Sequence, residues 1–279
     1  VDNQDEINDP IGLSGERLSV HLHLVMNVSA VIENTISAIN KAGVVVDKVV
    51  MQQLASAEAV LTEDEKELGS VLIDIGGGTT DISVYSKGSI WHSEVLPMGG
   101  NLITKDIAIG LKAPLEEAEE IKKELGSVYP FDVPEEEVLE IGQIGTGRKR
   151  TISRRLLCQI IEARCEEILE AIEKVIRKVG IKKDLVTGIV LTGGGALQEG
   201  LTRRAEEMLD LPIRLGAPCG FEVRDQAVLH PAYSTALGLL KIHAWTASES
   251  LAKAIRPRLF DKPKATTEKL KNWFFEKIG

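Results

Sequence analysis

Val71-Leu72-Ile73-Asp74-Ile75-Gly76-Gly77-Gly78-Thr79-Thr80-Asp81-Ile82-Ser83-Val84-Tyr85 is the stretch that decides the fold. Val71 to Ile73 is a short apolar run rich in β-branched residues, and Ile82 and Val84 then alternate with Ser83 and Tyr85, so two strands joined by a tight turn are expected. Three glycines in a row carry no Cβ, which lets backbone N–H groups approach an anion and lets the turn take positive φ where it must. Thr79 and Thr80 add hydroxyls of the kind that donate to phosphate oxygens. Asp74 closes the first strand beside this turn. A carboxylate next to a phosphate cradle repels it unless a cation lies between, so Asp74 points to Mg²⁺ held through water, with Asp81 serving the metal or the turn. The same residues also suit an ordinary glycine hairpin capped by Asp74.

A second glycine turn follows more than a hundred residues later. Gly188-Ile189-Val190-Leu191-Thr192 reads as a buried strand, Gly193-Gly194-Gly195 ends it, and Leu197, Leu201, Ala205, Met208 and Leu209 recur at helical spacing. A glycine turn between strand and helix brings backbone close to a flat ligand, and helix N-termini favour negative groups. The spacing is neither that of a P-loop nor that of the dinucleotide fingerprint. Alone this segment is equally a tight strand-to-helix connection; the pair of turns, in this order, is the stronger signal.

With these turns quoted, the chain resembles the actin/Hsp70 superfamily and, within it, the FtsA family of bacterial cell-division proteins. The first turn is similar to that superfamily's second phosphate loop and the second turn to its adenosine motif. Asn8-Asp9-Pro10-Ile11-Gly12-Leu13-Ser14-Gly15, the run from Leu54 to Gly69, and Tyr233-Ser234-Thr235-Ala236-Leu237-Gly238-Leu239-Leu240 resemble FtsA in particular. The resemblance implies an α/β, actin-like (ribonuclease H-like) lobe with a helical and β insertion, part of a first lobe, and a C-terminal amphipathic helix. It implies ATP and Mg as ligands, with Gly76, Gly77, Gly78, Thr79, Thr80, Gly193, Gly194 and Gly195 at the phosphates and adenosine, and Glu119 and Lys122 at the ribose and base. Glu119 and Lys122 are three apart and share a helix face, which on its own also describes a solvated ion pair. Gln53 lies loosely where actin relatives orient a water, so the resemblance implies at most a weak ATPase in the full-length protein and an inactive fragment here.

The family's organisation implies residues 1–45 as the remainder of a subdomain called 1C, 46–69 as the end of the first lobe (1A), 70–112 and 179–225 as two parts of subdomain 2A, 113–178 as subdomain 2B, 226–245 as a return segment, 246–265 as a linker and 266–279 as a membrane-targeting helix. The chain begins with Val1 and shows no first phosphate loop, so it reads as a fragment that binds ATP weakly by itself. The implied partners are the C-terminal tail of the tubulin-like FtsZ, further copies of the protein in filaments, later division proteins and an anionic membrane surface. The implied location is the cytoplasmic side of the inner membrane. Arg164 resembles a basic position linked to the FtsZ tail; as a bidentate anchor it suits a partly acidic peptide, and it is equally placed for a helical pair with a glutamate. The competing readings are another actin-like scaffold (PilM- or MreB-like) and a sugar-kinase-like phosphotransferase, which needs a substrate pocket and a positioned base but no basic amphipathic tail.

Composition narrows the class. The 279 residues are 43% hydrophobic with a net charge of −9, enough for one or two cores and unsuited to nucleic acid as the main partner. Three cysteines without metal-ligand spacing suggest a reducing compartment; Cys158 and Cys165, seven apart on one expected helix, lie roughly 10 Å apart along its axis and cannot bridge. No apolar run approaches the ~20 residues a spanning helix needs.

Along the chain, Val31 to Ala42 reads as an amphipathic helix ended by Gly43, and Val44-Val45-Val46 and Val49-Val50 read as strand entry. Leu54 to Leu61 and Met98 to Leu111 are expected helices, and another opens at Pro114. The acidic stretch Pro134-Glu135-Glu136-Glu137 and the basic stretch Arg148-Lys149-Arg150 read as strand ends and turns. Ser153 to Val179 reads as a long helix with Leu157, Ile160, Ile161, Ile168, Leu169, Ile172, Val175 and Ile176 on its apolar side, and Tyr233 to Ile242 as a return helix. Thr246 to Ala265 reads as a tether. Leu270, Trp273, Phe274 and Ile278 then fall on one helix face. From Lys253 to Gly279 there are eight Lys/Arg and three Asp/Glu, a charge of +5 against −14 for the rest. A basic, aromatic amphipathic helix after a loose linker reads as an interfacial membrane anchor, each basic residue near anionic lipid contributing about 1 kcal/mol.

Overall fold

The computed structural model describes the chain apart from residues 3, 5, 6, 8, 9, 21, 145–147, 181–184 and 256–279, and describes 245–255 by backbone alone. Leu270, Trp273, Phe274 and Ile278, the end of the expected linker and part of the Asn8–Gly15 stretch therefore lie outside the described residues. The chain forms two compact units, residues 1–241 and 242–279.

In the first unit a five-stranded sheet has the order β3-β2-β1-β6-β7, with β1 Ser70–Ile75, β2 Thr80–Ser86, β3 Ser89–Leu96, β6 Ile189–Thr192 and β7 Ile213–Leu215. β1, β2 and β3 are an antiparallel meander, whereas β1–β6 and β6–β7 are parallel. β1, all but the last residue of β2, and β6 are buried, which is why they read as near-continuous apolar runs. The period of two then sorts their side chains. Val71, Ile73, Ile75, Ile82, Val84, Ile189 and Leu191 enter one core with helices α4 (Gly100–Gly110), α5 (Leu115–Leu125), α6 (Arg154–Val179) and α7 (Leu201–Leu209). Leu72, Tyr85 and Val190 enter a second core with α2 (Gln52–Val60), and a short helix α3 (Glu63–Leu68), opened by a Thr62–Glu65 capping box, leads from α2 into β1. Asp74, Asp81 and Thr192 share the parity of this second set, so the same alternation that builds the cores turns the acidic residues toward α2.

Between the glycine turns lies the expected insertion. A two-stranded antiparallel hairpin, β4 Val138–Gly142 and β5 Lys149–Ser153, buries Ile141 and Ile152. α6 then spans 26 residues and stops at Gly180, whose φ of +75° suits glycine. Of its eight expected apolar positions seven are buried, and Ile160 is partly so. The basic stretch is strand as much as turn: Lys149 and Arg150 belong to β5, and the Arg150 guanidinium donates to the Leu111 carbonyl. Cys158 and Cys165 are buried free thiols.

Two expectations are corrected. Val44–Val46 and Val49–Val50 form no strand; Val44, Val45 and Val49 are exposed, and without a neighbouring strand an extended apolar run has nothing to pair with. The helix α1 before them, Ser29–Lys41, likewise has no buried residue. The tether does not begin at Thr246, because α8 runs from Ser234 to Ile255. Residues 246–255 contain neither glycine nor proline, and the first helix-disfavouring position is Arg256, ahead of Pro257.

Candidate nucleotide-binding site

The two glycine turns meet at the carboxyl ends of the parallel strands β1 and β6. Asp74 and Asp81 are register partners across β1 and β2, and each is 5% exposed. Ser56 of α2 donates to Asp74 Oδ2 at 2.7 Å, and the Thr235 hydroxyl of α8 lies 3.3 Å from the same oxygen. Asp81 is more heavily bonded: Gln53 Nε2 donates to Oδ1 at 2.9 Å, and Gln52 Nε2 and the Thr79 hydroxyl donate to Oδ2 at 3.1 and 3.0 Å. Gly193, with φ +87°, packs so tightly here that a Cβ would stand 2.4 Å from Asp74 Oδ1 and 2.5 Å from the Ile75 carbonyl. The second turn thus rests directly on the acidic end of the first.

A third backbone segment joins them. The amides of Gly100 and Asn101, which open α4 and have no partner within the helix, donate to the carbonyls of Gly76 and Gly77 at 2.9 and 2.8 Å. A Cβ at Gly99 would lie 2.6 Å from the Gly76 carbonyl. Behind Gly100 sits Lys122, 9% exposed, whose ammonium donates to Glu119 at 2.6 Å, to Thr104 at 2.9 Å and to the Gly100 carbonyl at 3.3 Å. A Cβ on Gly100 would meet Lys122 Nζ, the Gly76 carbonyl and the Gly195 Cα within 4.0 Å, so all four segments converge.

Most of the expected residues are therefore brought together: Asp74, Gly76 to Thr79, Asp81, Glu119, Lys122 and Gly193 to Gly195. Glu119 and Lys122 are not a freely solvated ion pair, since the lysine is buried beneath the turns. Thr80 is corrected: it is fully buried and its hydroxyl is spent on the Met98 carbonyl at 2.8 Å, whereas Thr79 is half-buried with its hydroxyl turned to Asp81. Gln53 is buried with its amide committed to Asp81, away from any role in orienting water. Arg164 stands apart on α6, where it pairs with Asp106 of α4 and with Glu167. Ser56, Thr235, Gln52, Asn101 and Thr104 were not singled out from sequence. Ser56 and Thr235 lie inside two of the stretches that resemble FtsA, which was the available signal.

The electrostatics of the acidic pair are unusual for a structural site. Burial pushes the Asp74 carboxyl above the usual carboxylate range, opposed in part by the donors Ser56, Thr235 and Gln52. Burial and then the neighbouring Asp74 charge push Asp81 the same way, against Thr79. No basic group acts on either. Burial would raise Glu119 too, but the bonds from Lys122, Thr104 and Lys123 outweigh it and bring it to about 2. A carboxyl raised by folding favours the folded state at low pH and loses that contribution as pH rises through its folded value; Glu119 contributes above its ordinary 4.5 and loses it as pH falls toward 2. Asp74→Asn should therefore stabilise the ligand-free chain at pH 7, with the gain shrinking toward pH 4.5. Urea midpoints at both pH values check this; a gap that does not change with pH would remove ionisation of Asp74 as its cause.

The residues fit a hydrated divalent cation. Among the described residues no basic group acts on buried Asp74 and Asp81, and no three acidic, histidine or cysteine side chains form a metal cage. Mg²⁺ characteristically takes one or two carboxylates and completes its shell with water and phosphate.

The family model described as cell division protein FtsA matches residues 71–238, and one described as the SHS2 domain inserted in FTSA matches residues 1–26. The chain belongs to the FtsA family. It is 37% identical to the cell division protein FtsA of Pseudomonas aeruginosa over 276 residues, covering 98% of this chain and 66% of that protein. It is 42% identical to FtsA of Neisseria meningitidis and of Bacillus subtilis, covering 86% of this chain and 58% and 53% of theirs. The chain thus spans between about half and two thirds of the length of these FtsA relatives. The fold is actin-like: MreB5 of Spiroplasma citri bound to ADP superposes with a TM-score of 0.64 at 20% identity, over 81% of this chain and 68% of that one. A MamK double helical filament gives 0.58 at 18% identity, over 78% and 66%, and a PilM-PilN type IV pilus biogenesis complex 0.56 at 17%, over 75% and 56%.

Proposed function

We propose that the chain forms one side of an ATP-binding clamp in an actin-like cell-division scaffold that polymerises and ties FtsZ filaments to the membrane. The observation that carries the nucleotide half is the convergence of Gly76–Gly78, Gly99–Gly100 and Gly193–Gly195 beside an acidic pair that lacks a positive partner. In this reading the exposed Gly77 and Gly78 amides and Thr79 receive phosphate, Asp74 holds hydrated Mg²⁺ with Asp81 adding its charge, and Glu119 faces the ribose and base while Lys122 braces it. Gln53, with its amide donating to Asp81, is not assigned the water-orienting role, and nucleotide serves mainly to favour one lobe geometry over another. The fold likeness to MreB5 bound to ADP and to a MamK filament supports nucleotide binding and self-association.

The membrane half rests on sequence: the +5 tail with Leu270, Trp273, Phe274 and Ile278 on one face. No helix among the described residues is long and apolar enough to cross a membrane, and a peripheral site on the cytoplasmic face of the inner membrane is part of the proposal. So are the FtsZ tail as a partner of the 113–178 insertion and the later division proteins. Arg164 can serve that partner only in competition with Asp106 and Glu167, which already hold its Nε and Nη1.

Co-sedimentation with anionic vesicles in the presence of fluorescent MgATP tests both halves. The protein should pellet carrying nucleotide, and Trp273→Glu should leave both in the supernatant while still binding nucleotide in solution. Pelleting without nucleotide even at saturating MgATP would remove the clamp; nucleotide-bound wild type left in the supernatant would remove the anchor.

A further inference from the structure

We infer that Asp81 is a positioning residue rather than a metal ligand: with Gln52 and Gln53 it sets the shape of the first glycine turn from helix α2. An unbroken path of hydrogen bonds carries the inference. Gln53 of α2 donates to Asp81 Oδ1 at 2.9 Å, Thr79 donates to Asp81 Oδ2 at 3.0 Å, and the Thr79 carbonyl closes the turn by accepting from the Gly76 amide at 2.8 Å. Gln52 adds a second amide to Oδ2 at 3.1 Å.

The two carboxylates differ in what surrounds them. Asp81 receives three neutral donors, and both of its oxygens are engaged. Ser56 and Thr235 act on Asp74 Oδ2, Gln52 weighs on Asp74 as well as on Asp81, and Asp74 Oδ1 faces the bare backbone of Gly193. A carboxylate oxygen has about two lone-pair sites, so Asp74 keeps more of its capacity for a hydrated cation. Asp81 is filled from the protein, and its donors come from two places that must stay in register: a helix of one core and the tip of a turn. Gln53 is 5% exposed; a buried amide left without an acceptor is unfavourable, so α2 and the turn are held together by the cost of separating them. A shift of α2 is thereby felt at Gly76–Thr79, and a ligand ordering the turn is felt at α2.

The geometry stands without a ligand, while its consequence for phosphate binding rests on the nucleotide reading above. The test exploits the polarity of the bond. Gln53→Met is nearly isosteric and donates nothing. The pair Gln53→Glu with Asp81→Asn exchanges donor and acceptor: the asparagine Nδ2 then donates to the carboxylate placed on α2, and its Oδ1 still accepts from Thr79 and Gln52. Amide hydrogen exchange at Gly76, read against the β1 and β6 amides of the same sample, should quicken about tenfold in Gln53→Met and return to within about twofold of wild type in the exchanged pair. Unchanged exchange in Gln53→Met, or an exchanged pair as loose as Gln53→Met, would overturn the inference, because simple damage to the core is not repaired by reversing a hydrogen bond. Fluorescent MgATP affinity measured on the same three proteins separates the two readings. Turn exchange that follows this pattern with no measurable nucleotide binding in any of them would keep the hub and reject the clamp.

Discussion

Gly193→Ala should destabilise the chain by about 3 kcal/mol or more and abolish whatever ligand binding the site supports, whereas Gly78→Ala should be nearly silent for stability. The two glycines are the same residue in near-identical company, each within a run of three. At Gly193 a Cβ would lie 2.4 Å from Asp74 Oδ1 and 2.5 Å from the Ile75 carbonyl, and the backbone has φ +87°. With ψ of 164° this backbone lies in an extended positive-φ region that is essentially glycine's alone and costs another residue about 1–3 kcal/mol, and forced repacking in a tight interior adds about 1–3. At Gly78 nothing lies within 4 Å and φ is not positive. For a chain of this size about 3 kcal/mol corresponds to roughly 6–12 °C in Tm, well within reach of a thermal scan. Equal midpoints for the two variants would show that the second turn does not rest on β1 as described.

Gly238→Ala is expected to be the other severe change, for a different reason. Gly238 lies on α8 in ordinary helical conformation, where alanine is normally the better residue by about 1 kcal/mol. Its Cβ would fall 1.7 Å from the Ala55 carbonyl oxygen of α2, so the two helices must separate. Separation carries Ser56 and Thr235 with it; their hydroxyls lie 2.9 Å apart and both reach Asp74. We expect a loss of several kcal/mol, with Asp74 stripped of its hydroxyl donors, so that the pH dependence of stability between pH 4.5 and 7 steepens as well as the midpoint falling. A variant as stable as wild type would place the α2–α8 crossing elsewhere.

The strands and the long helix were legible because burial on both faces leaves a plain record. Val71 to Ile75 and Ile189 to Thr192 could hardly be anything but interior strands, and the spacing from Leu157 to Ile176 fixes the inward side of α6. Val44 to Val50 carried the same apolar signal and misled, since residue preference cannot supply the neighbouring strand that an extended segment requires. The tether failed for the opposite reason. Residues 246–255 lack periodicity, but a helix needs only the absence of breakers, and the first proline is at 257.

At the site, residue chemistry and its arrangement parted company. Asp74, Asp81, the two glycine triplets and the Glu119–Lys122 pair are visible as types in order along the chain, and with the resemblance they implied a nucleotide clamp. Where each hydroxyl goes could not be read. Thr79 and Thr80 are adjacent and chemically equal, but Thr80 is buried on the Met98 carbonyl while half-buried Thr79 donates to Asp81. Nor could it be read that Gln53 binds a carboxylate from the far side, or that Arg164 is held by Asp106. By itself, the amino-acid order determined the buried strands, the glycine turns, the family resemblance and the acidic character of the site, because these follow from properties each residue carries wherever it is placed. The tertiary structure alone decided which donors satisfy which acceptors and which glycines have no room for a methyl group, because those depend on distances between segments that the chain separates by tens of residues or more.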